Sequence, residues 1–550
     1  MSNKVLKVHS NDNIIAALQD LAEGDQVTYE GRTYQLLEDI PAKHKFNTDD
    51  LPEGAPVYMY GVLIGKATRP IPKGSRISRE NVTHSASDFK VGQQKNSWTP
   101  PDISRFKDRT FMGYHRANGK VGTRNYWIVF PLVFCENRNI KVIREAMLEQ
   151  LGYVTDKHFR VDTQQLVQLY QNGADTTTLL EADIIRDAAA IQDNRLFPNV
   201  DGIQFLLHDG GCGGIRQDSE ALCHLLAGYF THPNVAGATV LSLGCQNAQF
   251  EILEKAIQQR EPNCKKPLVI LEQQQSKSER DFIAQAVKRT FAGLIEVNKL
   301  KRQPAPLSKL CLGLECGGSD GFSGISANPA LGYTSDLLVA LGGTAILSEF
   351  PELNGVEQEL INRCVDDKIA KKFAHIMQTY SKRAVEVGSG FDMNPSPGNI
   401  KDGLITDAMK SAGAAKKGGT SPVTDVLDYT EPANKPGLNL LCTPGNDVES
   451  TTGLAGSGAN LIVFTTGLGT PTGNPVAPTV KMSSNTILSN RMPDLIDVDA
   501  GTIITGEDTI ESKGEALLEY LIDVASGVKT PHAERLRQDD FIPWKRGISL

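Results

Sequence analysis

The sequence has no CxxC pair, no apolar run long enough to span a bilayer and no excess of positive charge. Each absence removes a class of function. Without paired cysteines there is no zinc ribbon or thioredoxin-type motif, so any metal site must be assembled from distant segments. The most hydrophobic run, Tyr126 to Cys135, is interrupted by Pro131 and covers about half the length of a membrane helix. A net charge of −8 repels phosphates, so no nucleic-acid partner is expected. The densest basic stretch, Lys299–Arg302, lies beside prolines and reads as a solvated linker. The amino terminus lacks the apolar core of a secretory signal. The nine cysteines are an odd number, which speaks against a disulfide framework. A cytoplasmic chain with reduced thiols and no membrane partner is expected. No repeat at a fixed period and no low-complexity segment is present.

What is present is an ordinary globular balance, 550 residues with 40% hydrophobic and 22% charged, enough for several cores. Residues 1–88 read as short strands separated by Gly, Pro and Asp clusters, with one helix expected over about Asp12–Leu21 behind Ser10 and Asn11. Residues 89–108 are polar, contain Pro100–Pro101 and read as a linker. From 109 onward apolar strand-like runs alternate with helical segments, with a break near Lys299–Leu307. The fold class is therefore α/β: two α/β domains with mostly parallel sheets, 109–300 and 301–550, plus a small N-terminal β-rich domain.

In open α/β sheets, ligands bind beyond the carboxyl ends of the strands. Four such ends carry cysteine: Cys135 after NYWIVFPLVF, Cys212 in His208-Asp-Gly-Gly-Cys-Gly-Gly, Cys245 after ATVLSLG, and Cys316 after KLCLGLE. Glycines beside three of them allow close backbone approach. Thiolates in such loops suit iron or an iron–sulfur cluster; the plainer reading is small residues packing tight turns. Cys223, Cys264, Cys311, Cys364 and Cys442 read as structural. The loop Phe464–Gly473 offers hydroxyls and backbone N–H groups to an anion, and Asn394–Asn399 is a rigid polar loop. His208 would face the crevice. His9 and His44 read singly as surface residues. Glu349 and Glu352 follow the strand TAILSEF as oxygen ligands, a base, or helix-capping charges.

Several segments together resemble one family. The stretch Gly113–Asn125 (GYHRANGKVGTRN), HDGGCGG, LGCQN, ECGGSDGFSGISANPALG, NPSPGN, FTTGLGTPTG and Asp499–Asp508 are similar to altronate/galactarate dehydratases. The first block, with VHSNDNIIAAL, IPAKHKF and YGVLIGKA, resembles that family's SAF domain. The resemblance runs nearly the whole chain in order, and the ending DDFIPWKRGISL is closer to the altronate-specific branch. Two departures stand out. Gly244-Cys245-Gln246 replaces the Gly-Cys-Glu of many members, and Thr83-His84-Ser85 lacks the His-x-His tail of some relatives.

The resemblance implies a hydro-lyase converting D-altronate to 2-dehydro-3-deoxy-D-gluconate and water in hexuronate breakdown, with Fe²⁺ or Mn²⁺ as cofactor. A base takes the proton α to the carboxylate, a Lewis acid neutralises that carboxylate, and an acid helps the 3-hydroxyl leave. On this reading the metal sits near Cys135, Cys212, Cys245 and Cys316, with an iron–sulfur cluster as an alternative. His208 is the acid or base. Arg124 and Lys481 neutralise the substrate carboxylate, with Asn125, Ser319 and Asp320 also at the substrate. His9 and His44–Lys45 arrive on the small domain as a lid. The competing arrangement is an oxygen/nitrogen metal site with structural cysteines. Alternative functions are a galactarate or other aldarate dehydratase, a sulfolactate sulfo-lyase-like enzyme, and a non-catalytic sugar-acid-binding module. A homo-oligomer is expected.

Overall fold

The computed structural model describes residues 4–92, 97–153, 159–187 and 194–549. The N-terminal domain is built from short antiparallel strands. Val5–Leu6, Ile14–Ala17, Lys45–Asn47 and Arg76–Ile77 form one sheet in that order, and Pro56–Met59, Val62–Ala67 and Val82–His84 form another. The helix expected over Asp12–Leu21 is instead the strand Ile14–Ala17, buried along its whole length. Its two faces explain the difference. Ile15 and Ala17 enter the domain's own core with Phe46 and Tyr34, whereas Ile14 enters a second core shared with the C-terminal domain. That two-residue alternation suits a strand covered on both sides.

The polar stretch 89–108 carries no helix or strand among its described residues, yet it is strapped down. The Trp98 indole donates to Thr420 Oγ1 at 3.2 Å, Phe106 is buried, and Arg105 and Arg109 pair with Glu515 and Glu519 at 2.8 Å.

The second domain carries a four-stranded parallel sheet in the order Gly202–Phe205, Tyr126–Pro131, Val235–Ser242, Leu268–Glu272. Helices Asn137–Gln150, Arg216–Thr231 and Phe250–Arg260 lie in the crossovers, and Glu279–Val297 follows the last strand. The third domain holds seven parallel strands in the order Val423–Leu427, Gly437–Leu441, Thr344–Leu347, Cys311–Cys316, Leu461–Thr466, Thr479–Ser483, Val498–Asp499. After Cys311–Cys316 the chain first builds outward on one side, then returns to build on the other. That strand is the topological switch point, where α/β sheets open a crevice at their carboxyl edge. No described helix is long and apolar enough to cross a membrane.

Candidate active site

Acidic side chains converge where the switch-point strand ends. Glu315 and Cys316 finish that strand. The neighbouring strand Thr344–Leu347 runs into Ser348, Glu349 and a short turn, Phe350–Leu353, that carries Glu352. Helix Asp447–Ser457 follows the next strand and begins with Asp447. Cys316, Glu349 and Glu352 each place a donor atom within 4.8 Å of the others, and so do Glu315, Glu349 and Asp447. Glu349 takes a left-handed backbone conformation, φ 67°, at a cost of about 1–3 kcal/mol for such a residue. The turn is held by the Glu349 N–H donating to Thr443 Oγ1 at 2.8 Å.

Two lysines answer these acids. Lys417 Nζ lies 2.7 Å from Glu349 Oε2 and 2.8 Å from Cys316 Sγ. Lys410 Nζ lies 2.6 Å from Glu352 Oε1 and 3.0 Å from Asn394 Oδ1. Burial pushes the Glu315 and Glu349 carboxyls up, with Glu349 adding to the rise of Glu315 and Glu352 to that of Glu349. Burial and the same neighbours push Asp447 up to about 7. Burial acts the same way on Glu352, but Lys410 and Lys417 outweigh it and hold that carboxyl below its ordinary value. For Lys417, burial disfavours the charge, but Cys316 and the glutamates reverse this and hold it firmly cationic.

The donor set fits a divalent cation. Glu315 Oε1 and Glu349 Oε1 are buried without a hydrogen-bond partner, an expensive state for a carboxylate oxygen. Four carboxyls and one thiol face two firmly charged lysines, so a cation would offset the remaining negative charge. Oxygen donors with one sulfur suit a borderline first-row metal.

Beside the cluster, between the first and third domains, lies a cavity of about 480 Å³ lined by Arg79, Thr83, His84, Asn394, Thr406 and Asp407 among others. Asn394 bridges the two: it lines the cavity and donates to Glu352 Oε1 at 3.3 Å. His84 is half-buried with Nδ1 unpartnered, and burial lowers its pKa from 6.5.

The expected residues divide sharply. Cys316 lies in the cluster. Cys135, Cys212 and Cys245 are exposed on the second-domain sheet, so the four thiols do not share one centre: Cys316 faces carboxylates and Lys417 instead. Arg124 is no free carboxylate grip. Its guanidinium is buried, paired with Glu534 at 2.7 and 2.8 Å and bonded to the Val524 carbonyl. Asn125 is equally committed, donating to the Asn199 and Val297 carbonyls and accepting from Arg116. His208 uses both ring nitrogens. Nε2 donates to the Pro131 carbonyl at 2.8 Å and Nδ1 accepts from Gly210 N–H at 3.1 Å. Burial lowers its pKa, and with both nitrogens engaged by backbone groups the ring braces this loop.

The lid residues also differ from one another. His9 stays in its own turn, its Nδ1 accepting from Asn11 N–H at 3.1 Å, and no contact of it with the third domain is seen among the described residues. His44 Nε2 meets the Lys401 carbonyl at 3.1 Å and Lys45 Nζ donates to the Gly403 carbonyl at 2.8 Å. Both hold the small domain against the third domain. Asp320 is a pin for the ECGGSD loop, accepting from the Phe322 and Ser323 N–H groups and pairing with Lys43 at 3.0 Å. Ser319 is buried beside it, its carbonyl accepting from Asn399. Lys481 is buried with Nζ unpartnered, 3.8 Å from the Phe464 ring centre, and burial brings its pKa down to about 7.

Glu349 and Glu352, noted in the sequence as oxygen donors, reach the site. Glu315, Asp447, Lys410, Lys417 and Arg79 were not singled out. Glu315 directly precedes Cys316, so the strand-end rule could have found it. The lysines carry no local signal, because their role comes from where helix Asp407–Ala415, which carries Lys410, and the turn Lys416–Gly418 after it pack.

Comparison with known proteins agrees along the whole chain. The family profile described as altronate/galactarate dehydratase SAF domain matches residues 3–85. The second domain of D-galactarate dehydratase/altronate hydrolase matches 113–298, and the C-terminal part of D-galactarate/altronate dehydratase matches 307–549. Altronate dehydratases of Escherichia coli (strain K12) and Bacillus subtilis (strain 168) are each 33% identical, over 99% of this chain and 99% of their own. A galactarate dehydratase (L-threo-forming) of Escherichia coli is 32% identical over 96% of this chain and 94% of its own.

Proposed function

Because this chain belongs to the altronate/galactarate dehydratase family of sugar-acid hydro-lyases, we propose that it converts D-altronate to 2-dehydro-3-deoxy-D-gluconate and water at the third-domain cluster. The observation that supports this most is the carboxylate–thiol group of Cys316, Glu349 and Glu352 at the switch point, tied by Asn394 to the wall of a cavity of about 480 Å³. Residues Glu315, Cys316, Glu349 and Glu352 would hold Fe²⁺ or Mn²⁺, with Asp447 beside them. When bound, such an ion supplies Lewis acidity toward the acid substrate.

The chain's own groups divide the remaining work. Arg79, at the cavity wall, and Lys410, bonded to Asn394 behind it, present positive charge to the substrate carboxylate and so acidify the adjacent C–H. His84, neutral at pH 7 and with Nδ1 free, is the base that takes the C2 proton. Asp447, with its pKa near 7, is protonated often enough to assist loss of the 3-hydroxyl. The resulting enol tautomerises to the 2-oxo acid. Thr68, Arg79, Val82, Thr83 and His84 supply the first-domain wall of this cavity.

A thiobarbiturate assay for 2-keto-3-deoxy acids, with Fe²⁺ or Mn²⁺ and a panel of hexonates and aldarates, tests this reading. Turnover of D-altronate above the others is expected. Preference for galactarate would move the chain to the other branch of the family, and no turnover of any sugar acid would refute the assignment.

A further inference from the structure

Cys135, Cys212 and Cys245 are left unexplained by the site above. They lie on loops leaving three adjacent strands of the second-domain sheet, Tyr126–Pro131, Gly202–Phe205 and Val235–Ser242. All three are exposed, so burial of a small apolar side chain does not account for them.

The loops are stitched together around Gly210 and Gly211. Phe134 N–H donates to the Gly210 carbonyl at 3.1 Å, and the Asn247 and Ala248 N–H groups donate to the Gly211 carbonyl at 2.9 and 3.1 Å. Gly211, at φ 97°, approaches so closely that a Cβ there would lie 2.0 Å from the Leu132 carbonyl oxygen. Cys212 follows this pivot directly, Cys135 follows Phe134, and Cys245 is two residues before Asn247. Consecutive Cα atoms are ~3.8 Å apart, so the three cysteines stand on adjoining loops of one rim. A polar amide already reaches one of them: Gln274 Nε2 donates to Cys245 Sγ at 3.4 Å. A cavity of about 300 Å³ opens beside Cys212, lined also by Asn137, His208, Asp218, Phe541 and Lys545.

We propose that this rim is an iron–sulfur cluster site in which Cys135, Cys212 and Cys245 ligate three irons of a 4Fe–4S cluster. The fourth iron keeps no protein thiolate and offers its open position to a carboxylate or hydroxyl oxygen in the adjoining cavity. Three sulfur ligands from separate loops suit a cluster better than a hard cation, which prefers the oxygen-rich third-domain site. Loading is a ligand exchange. Three bonds from iron to small-molecule thiolates break, three bonds to cysteine sulfur form, and the cysteine protons leave on the departing thiolates. No electron is transferred.

The test is anaerobic transfer of a preformed, thiol-ligated 4Fe–4S cluster to the full chain. Iron, acid-labile sulfide and visible charge-transfer absorbance are read after desalting. Iron and sulfide bound in equal amounts are expected. Cys135→Ser, Cys212→Ser and Cys245→Ser should each retain at least tenfold less cluster, and the triple variant none, while C316S loads like the wild type. The altered side chains are exposed, so an unchanged melting temperature confirms that each variant is folded. Failure of the wild type to take up cluster, equal uptake by the triple variant, or dependence on Cys316 instead would overturn the proposal. The outcome is independent of dehydratase turnover.

Discussion

The second and third domains present the same kind of edge, the carboxyl ends of parallel strands, and equip it in opposite ways. In the third domain the edge is sealed: Glu315, Glu349 and Glu352 are buried and answered by Lys410 and Lys417. In the second domain it is open, and its chemistry is three exposed thiols around Gly211. Topology fixes where a ligand can approach, whereas burial fixes which donors can be kept there. Carboxylates survive in a dry site only with fixed cations beside them, whereas thiols need no such compensation.

The comparison can be broken in several places. Glu349→Gln removes a donor shared by both groups of the sealed edge. Turnover measured by the thiobarbiturate reaction should fall about a thousandfold, roughly 4 kcal/mol, and an effect under tenfold would shift the chemistry to the open edge. Next in size is Arg124→Met, which leaves Glu534 with the Tyr126 hydroxyl but without its paired cation and loosens the second domain from the C-terminal segment. Denaturant titration should show a loss of about 3 kcal/mol with KM unchanged, whereas a raised KM at native stability would restore Arg124 to the substrate.

His84→Gln should lower kcat about a hundredfold and remove the acid limb of the pH profile. Its active form is the neutral ring and burial lowers its pKa from 6.5, so wild-type activity should fall only below pH 6.5. A limb above that value would name a different base.

The smallest effect is on the joint between the two domains. His232 is buried, accepting from Asn234 N–H through Nδ1 and meeting the Ala459 carbonyl through Nε2 at 2.9 Å. Burial lowers its pKa from 6.5 to about 3. The unfolded chain therefore binds a proton that the folded chain refuses between those values. Stability is full above pH 6.5 and lost as pH falls, by about 2 kcal/mol at pH 5 for this group. Denaturant midpoints of wild type and His232→Gln, compared at pH 7.5 and 5, should show the slope reduced in the variant.

Much of this was legible beforehand. The strand runs of the two α/β domains are continuous apolar stretches of the kind parallel sheets require, and Cys316, Glu349 and Glu352 follow such runs. The strand-end rule, however, says that a residue lies at a carboxyl edge and not at which sheet's edge. For that reason the four cysteines looked like one set. Arg124 looked free because its partner, Glu534, is 410 residues away. The strand Ile14–Ala17 looked helical because both its faces are covered, leaving no polar alternation to read. Lys410 and Lys417 gain their role only from tertiary burial.

The division of labour between the edges is tested most directly by equilibrium dialysis with Mn²⁺. Wild type, the E349Q/E352Q variant and the C135S/C212S/C245S variant would be compared. The triple cysteine variant should bind the ion as tightly as the wild type, and the double glutamate variant at least tenfold more weakly. The reverse pattern would contradict a metal centre built on the third-domain carboxylates.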